Sequence, residues 1–153
     1  MTIERRQIRY ATPDDLIADV RGLCAGGYDA AGKWSLGQVC WHLNKSTSYM
    51  MSAGPHVEPS AEQQAAGQQI LKGVLAKGEI PRGVEAPERA LPPAEVGEGA
   101  IDEFVATMER FKSFPGPFAP HRLFGRLTSE DARRLVLIHA AHHMSHLVPA
   151  KSR

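Results

Sequence analysis

Four histidines within eight residues, His139, His142, His143 and His146, sit in the otherwise largely apolar stretch RRLVLIHAAHHMSHLVP from Arg133 to Pro149. No other feature constrains the fold as tightly. At about 100° per residue on a helix, the four imidazoles fall in a wedge roughly 100° wide. Ala132, Leu135 and Val136 project into nearly the same wedge one and two turns earlier, while Leu137, Ile138 and Met144 cover other faces. The helix is therefore expected to be buried on most sides, with imidazoles continuing its inward stripe. Buried imidazoles need hydrogen-bond partners or a metal, because an unpaired buried polar group costs a few kcal/mol. The remainder of the chain must supply them.

Two pairs have the i, i+4 spacing that brings two imidazoles to one metal: His139 with His143, and His142 with His146. A third ligand from another helix would complete a facial three-histidine set with open positions, the arrangement of catalytic rather than structural zinc. His42 is the best third ligand, on a helix face it shares with Gln38, Ser46 and Tyr49, a polar face expected to border a pocket. For a lone histidine, a hydrogen-bonded core position is the commoner outcome. Four in one wedge with a fifth on a separate inward helix favour a metal. Haem is disfavoured by the absence of a CxxCH attachment motif. Tyr49 and Ser46 are candidates to orient a bound water or substrate. His56, after Gly54-Pro55, and His121, in the crossover before the histidine helix, are expected to be solvated, although His121 is near enough to reach a site mouth. Arg122 and Arg126 either meet an anionic substrate group or are solvated loop charges. Cys40 points away from His42 and reads as a small buried hydrophobe.

The elements follow from caps and periodicity. Residues 1–11 form a polar extended arm. Thr12-Pro13-Asp14-Asp15 starts a helix that runs to about Leu23 or Cys24 and stops at Gly26-Gly27. Ser35 and Gln38 form a capping box, with Trp34 positioned to staple against Val39, and Leu36, Leu43 and Met50 form a ridge that wants a partner helix. Gly54-Pro55 ends that helix. A weaker helix spans Ser60 to about Ala76, and Lys77 to Gly99 is a long loop broken by prolines and glycines that shapes the site's mouth or a subunit contact. Ile101, Phe104, Val105, Met108 and Phe111 mark a helix from about Ala94 to Ser113. The proline-rich crossover 114–120 leads to Thr128, which caps the histidine helix, and Pro149 stops it. This is an all-α reading, four substantial helices plus a weaker one and no convincing strand, best satisfied by a single helical bundle over residues 1–153.

Net charge is +1 with dispersed lysines and arginines, which argues against nucleic acid as the main partner. No apolar run approaches a membrane span, the first residues lack a signal-peptide h-region, and two cysteines give no disulfide framework. A cytoplasmic protein is expected.

Trp34-Ser35-Leu36-Gly37-Gln38 followed by His42-Leu43, together with His139-x-x-His142-His143, resembles the two signatures of the DinB-like (YfiT-like) superfamily of four-helix metalloproteins. Leu123 to Thr128, His142 to Pro149 and the Pro81-Arg82-Gly83-Val84 loop look like an uncharacterised domain-of-unknown-function branch of it, a likeness running from about residue 30 to the end. The resemblance implies an up-down-down-up bundle with a long crossover and a short extra helix, expected to form homodimers. It also implies a divalent metal, zinc or nickel, held by His42, His139 and His143. His142 then supports or packs against the ligands rather than binding the metal, and His146 stands where the superfamily has a glutamine on the ligand face. Characterised relatives are thiol-dependent transferases and isomerases, using low-molecular-weight thiols as cosubstrates, and metal-dependent hydrolases acting on small molecules. The competing reading is a noncatalytic binding or structural bundle with a vestigial or stabilising metal.

Overall fold

Side-chain caps begin four of the five helices in the computed structural model, which describes residues 2–81 and 90–150. Helix α1, Pro13–Gly26, starts where the Thr12 hydroxyl accepts from the Asp15 amide and the Asp15 carboxylate accepts from that of Thr12, and it ends at Gly27, whose φ of 79° suits glycine. Helix α2, Leu36–Met50, and helix α3, Ala61–Lys77, open on the same reciprocal box, Ser35 with Gln38 and Ser60 with Gln63. Helix α5, Ser129–Met144, is capped by the Thr128 hydroxyl on the Asp131 amide. Helix α4, Ala100–Ser113, has no side-chain cap; it begins after Gly97 and Gly99, six residues later than the periodicity suggested, because two glycines in that turn disfavour helix.

The core is built as the ridges require. Leu16, Val20 and Leu23 of α1, Leu36, Val39, Leu43 and Met50 of α2, Phe104, Val105, Met108 and Phe111 of α4, and Ala132, Val136, Ala140 and Met144 of α5 form one buried cluster. Helix α3 stands outside it and packs through Leu71 and Val74 on Leu135 and Phe124, a smaller second cluster that matches its poorer apolar content. No helix among the described residues is long and apolar enough to cross a membrane.

The mostly helical architecture agrees with the all-α reading, but the expectation of no convincing strand needs a correction. Strands β1, Tyr28–Ala30, and β2, Leu147–Pro149, pair antiparallel, with Asp29 opposite Val148. Helix α5 therefore ends at Met144 rather than running to Pro149: Ser145 turns the chain, donating its hydroxyl to the His142 carbonyl, and Leu147 is fully buried. Three residues per strand are too few for alternation to register in a sequence.

The N-terminal arm is fastened. The Arg6 guanidinium forks onto both Asp19 carboxylate oxygens at 2.9 Å and reaches the Met144 carbonyl at 3.0 Å, and the Arg6 amide donates to the Ser145 carbonyl at 2.7 Å. The Tyr10 hydroxyl donates to the same Asp19 carboxylate. Asp19→Ala removes the carboxylate that pairs the Arg6 guanidinium and accepts from the Tyr10 hydroxyl, so denaturant titration is expected to show a loss of about 2 kcal/mol.

Candidate metal centre

His42 enters from α2 and is 3 % exposed; His139 and His143 enter from α5 one turn apart. Their Nε2 atoms converge, with His42 to His139 at 3.2 Å and His143 to His139 at 3.1 Å, and all three donor atoms lie within 4.8 Å of one another. Zinc with nitrogen ligands at about 2.0–2.1 Å sets tetrahedral ligand atoms roughly 3.3 Å apart, a value the two contacts at His139 match.

Proton counting leads to the same place. His42 Nδ1 donates to the Ala90 carbonyl at 2.7 Å, which leaves its Nε2 as a lone pair aimed at His139. His139 Nε2 faces two nitrogens at once, and a single proton in the cluster satisfies only one of those contacts well. Adding a proton is resisted. Burial, reinforced by the neighbouring imidazoles, holds His139 down to about pKa 3 and drives His143 lower still, and burial also lowers His42. Convergent, neutral, under-protonated nitrogens are what a divalent cation satisfies.

These shifts have a sign. A histidine whose pKa falls on folding is bound by more protons in the unfolded chain, so its stability contribution is complete above about pH 6.5 and is lost as pH falls toward its folded pKa. His139 at about 3 and His121 at about 4 act together in that window. Metal-free protein is expected to lose about 2 kcal/mol or more between pH 7.5 and pH 5, taking up protons on unfolding; a flat stability profile there would contradict the geometry.

The other candidates are placed differently. The ring edge of His142 meets His143 with centroids 5.0 Å apart, but with His146 it lines a neighbouring cleft of about 780 Å³ walled by Arg5 and Gln7 of the arm. Its buried Nδ1 has no partner among the described residues, and burial, with Arg5 next, lowers its pKa to about 4. His146 lies in the turn beyond α5, its ring over Gly32, so its i, i+4 relation to His142 is not a helical one. Tyr49 is 44 % exposed and packs on the half-buried ring of His56 rather than on the trio. The Ser46 hydroxyl donates to the Leu43 carbonyl. His121 is not solvated: its Nδ1 accepts from the Leu123 and Phe124 amides, and its ring stacks on Phe124 at 4.3 Å. Arg126 pairs with Glu58 at 2.9 Å. Cys40 is fully buried, and burial pushes its thiol up to about 12.

Two contributors were not legible beforehand. Trp34 does pack on the core that contains Val39, but its indole also stacks on His143, with centroids 5.2 Å apart and planes at 17°, and tilts against His42 at 5.1 Å. The segment after residue 89 packs on part of the polar face of α2: Gln38 donates to the Pro93 carbonyl at 3.0 Å and His42 to the Ala90 carbonyl. Of the Pro81-Arg82-Gly83-Val84 motif, all but Pro81 lies outside the described residues.

Fold and site together define a mostly helical protein with a buried three-histidine group able to hold a divalent metal. The chain belongs to the family described as Protein of unknown function (DUF1569), whose model matches residues 2–150. That match begins well before residue 30, where the motif likeness starts, and so takes in the arm and α1. No curated protein and no solved structure matches the chain.

Proposed function

We propose that this protein is a divalent-metal-dependent enzyme, with His42, His139 and His143 as the ligands of zinc or nickel, on a DinB-like bundle of α1, α2, α4 and α5. The observation that carries the reading is the convergence of three Nε2 atoms, two of them 3.1–3.2 Å from the third at His139, without the protons to satisfy both contacts. The chemistry such an ion supplies is Lewis acidity: it lowers the pKa of a bound water for hydrolysis, or holds a thiol cosubstrate as its thiolate. The residues of the chain do the rest. The Ala90 carbonyl fixes the His42 tautomer, and α5 sets His139 and His143 one turn apart. Trp34, packed on both His42 and His143, covers the trio with an apolar ring, which strengthens charge stabilisation at the centre.

Metal analysis of protein purified without an affinity tag tests this directly. About one equivalent of zinc or nickel is expected, and protein that is metal-free and gains no thermal stability on adding either ion would refute the proposal. If metal binds but neither ester hydrolysis nor thiol transfer is detected in any substrate panel, the stabilising role of the metal takes precedence.

A further inference from the structure

We infer that Trp34 is a positioning residue for the metal: its indole face holds the His143 imidazole with Nε2 aimed at His139, and grips that ring more tightly once a cation is bound to it. The inference rests on the metal reading above and extends it to a residue outside the ligand set.

The two outer ligands are oriented by different means. His42 has a hydrogen-bonded orienter, the Ala90 carbonyl. Among the described residues, the ring nitrogens of His143 hydrogen-bond only to His139, which is itself a ligand candidate. What fixes the plane of the His143 ring is contact: the Trp34 indole nearly parallel on one side, with the His142 edge also against it. A metal-bound imidazole carries part of the charge of the ion and becomes electron-poor, and indole is the aromatic face that cations prefer. The stack is therefore stronger with metal than without, and only an interaction that differs between the two states adds to affinity.

The placement of Trp34 is itself fastened. The Ala31 amide donates to the His146 carbonyl at 2.7 Å, the Leu36 amide donates to the Tyr28 hydroxyl at 2.9 Å, and β1 pairs with β2. Between them Gly32 lies so close under His146 that an added Cβ would stand 3.3 Å from its ring. A residue that merely filled volume at position 34 would not need this fastening, and leucine would serve in its place.

Cobalt(II) titration, followed by its visible d–d bands, separates the two roles. Trp34→Leu is expected to weaken cobalt binding by about tenfold or more and to alter the d–d spectrum, with Trp34→Phe recovering most of both. With Trp41, the second of the two tryptophans in the sequence, replaced by phenylalanine, exchanging Trp34 for 5-fluoro- and then tetrafluorotryptophan keeps the shape while draining the ring face. Cobalt affinity is expected to fall stepwise by about threefold or more across that series. Unchanged affinity across the fluorinated series would overturn the inference, and that series decides alone if Trp34→Leu does not fold. Wild-type protein that binds neither cobalt nor zinc would instead overturn the metal reading, and this inference with it.

Discussion

His139→Ala is expected to lower zinc affinity by more than about a hundredfold, a larger loss than removal of an outer-shell partner brings. His139 is the hinge of the cluster, since both short nitrogen contacts, 3.2 Å to His42 and 3.1 Å to His143, pass through its Nε2. Removing it leaves two imidazoles, one short of a facial three-histidine set. In wild-type protein, saturating zinc stabilises by RT ln(1 + [L]/Kd), so the midpoint of thermal unfolding should climb with zinc concentration. In His139→Ala that climb should vanish over the same range, while competition against a chromophoric chelator reads the affinity itself. A variant that keeps the wild-type zinc-dependent shift would show that the three nitrogens are not the ligands.

The second large effect lies away from the site. Gly67 is buried in α3, where an added Cβ would fall 2.0 Å from the Leu123 carbonyl oxygen and 3.3 Å from the Phe124 ring. Backbone stands against backbone there, so no side-chain rotation can relieve the clash. Gly67→Ala is expected to cost roughly 3 kcal/mol despite the better helix propensity of alanine, lifting α3 from the turn around Phe124. Gly73→Ala, on the same helix with nothing within 4 Å of its Cβ, should be neutral or stabilising. Paired denaturant titrations check the contrast, and equal midpoints would refute the close approach.

The parts of this protein that were legible beforehand are those encoded by short-range chemistry. The Ser35–Gln38 capping box and the Thr12 cap are each written within four residues, and both form, because the hydroxyl and the backbone amide it meets lie within one turn; the same box at Ser60 with Gln63 went unread in a helix of poorer apolar content. Spacing offered two pairs equally, His139 with His143 and His142 with His146; the resemblance favoured the first, and it is this pair that the structure groups with His42. What escaped depends on distant pairing. The strands β1 and β2 gain their hydrogen bonds from each other across more than a hundred residues, and neither three-residue segment has a pattern of its own. Missing them carried α5 on to Pro149 and placed His146 on a helical face it does not occupy. Trp34 was read as a staple for the same reason: its stacking on His143 exists only once the sheet brings residues 31–34 beside the end of α5.

The separation of 97 residues between His42 and His139 also bears on when the centre comes into being. A growing chain presents the α2 histidine long before its partners on α5 have been made, and closing a loop of that length is an entropic debt that local helix formation does not settle. The centre is therefore expected to assemble late, after α1, α2 and α4 have found one another. An ion arriving earlier would meet a lone imidazole and leave again, so a metal held at this centre is expected to select the finished fold and not to seed it.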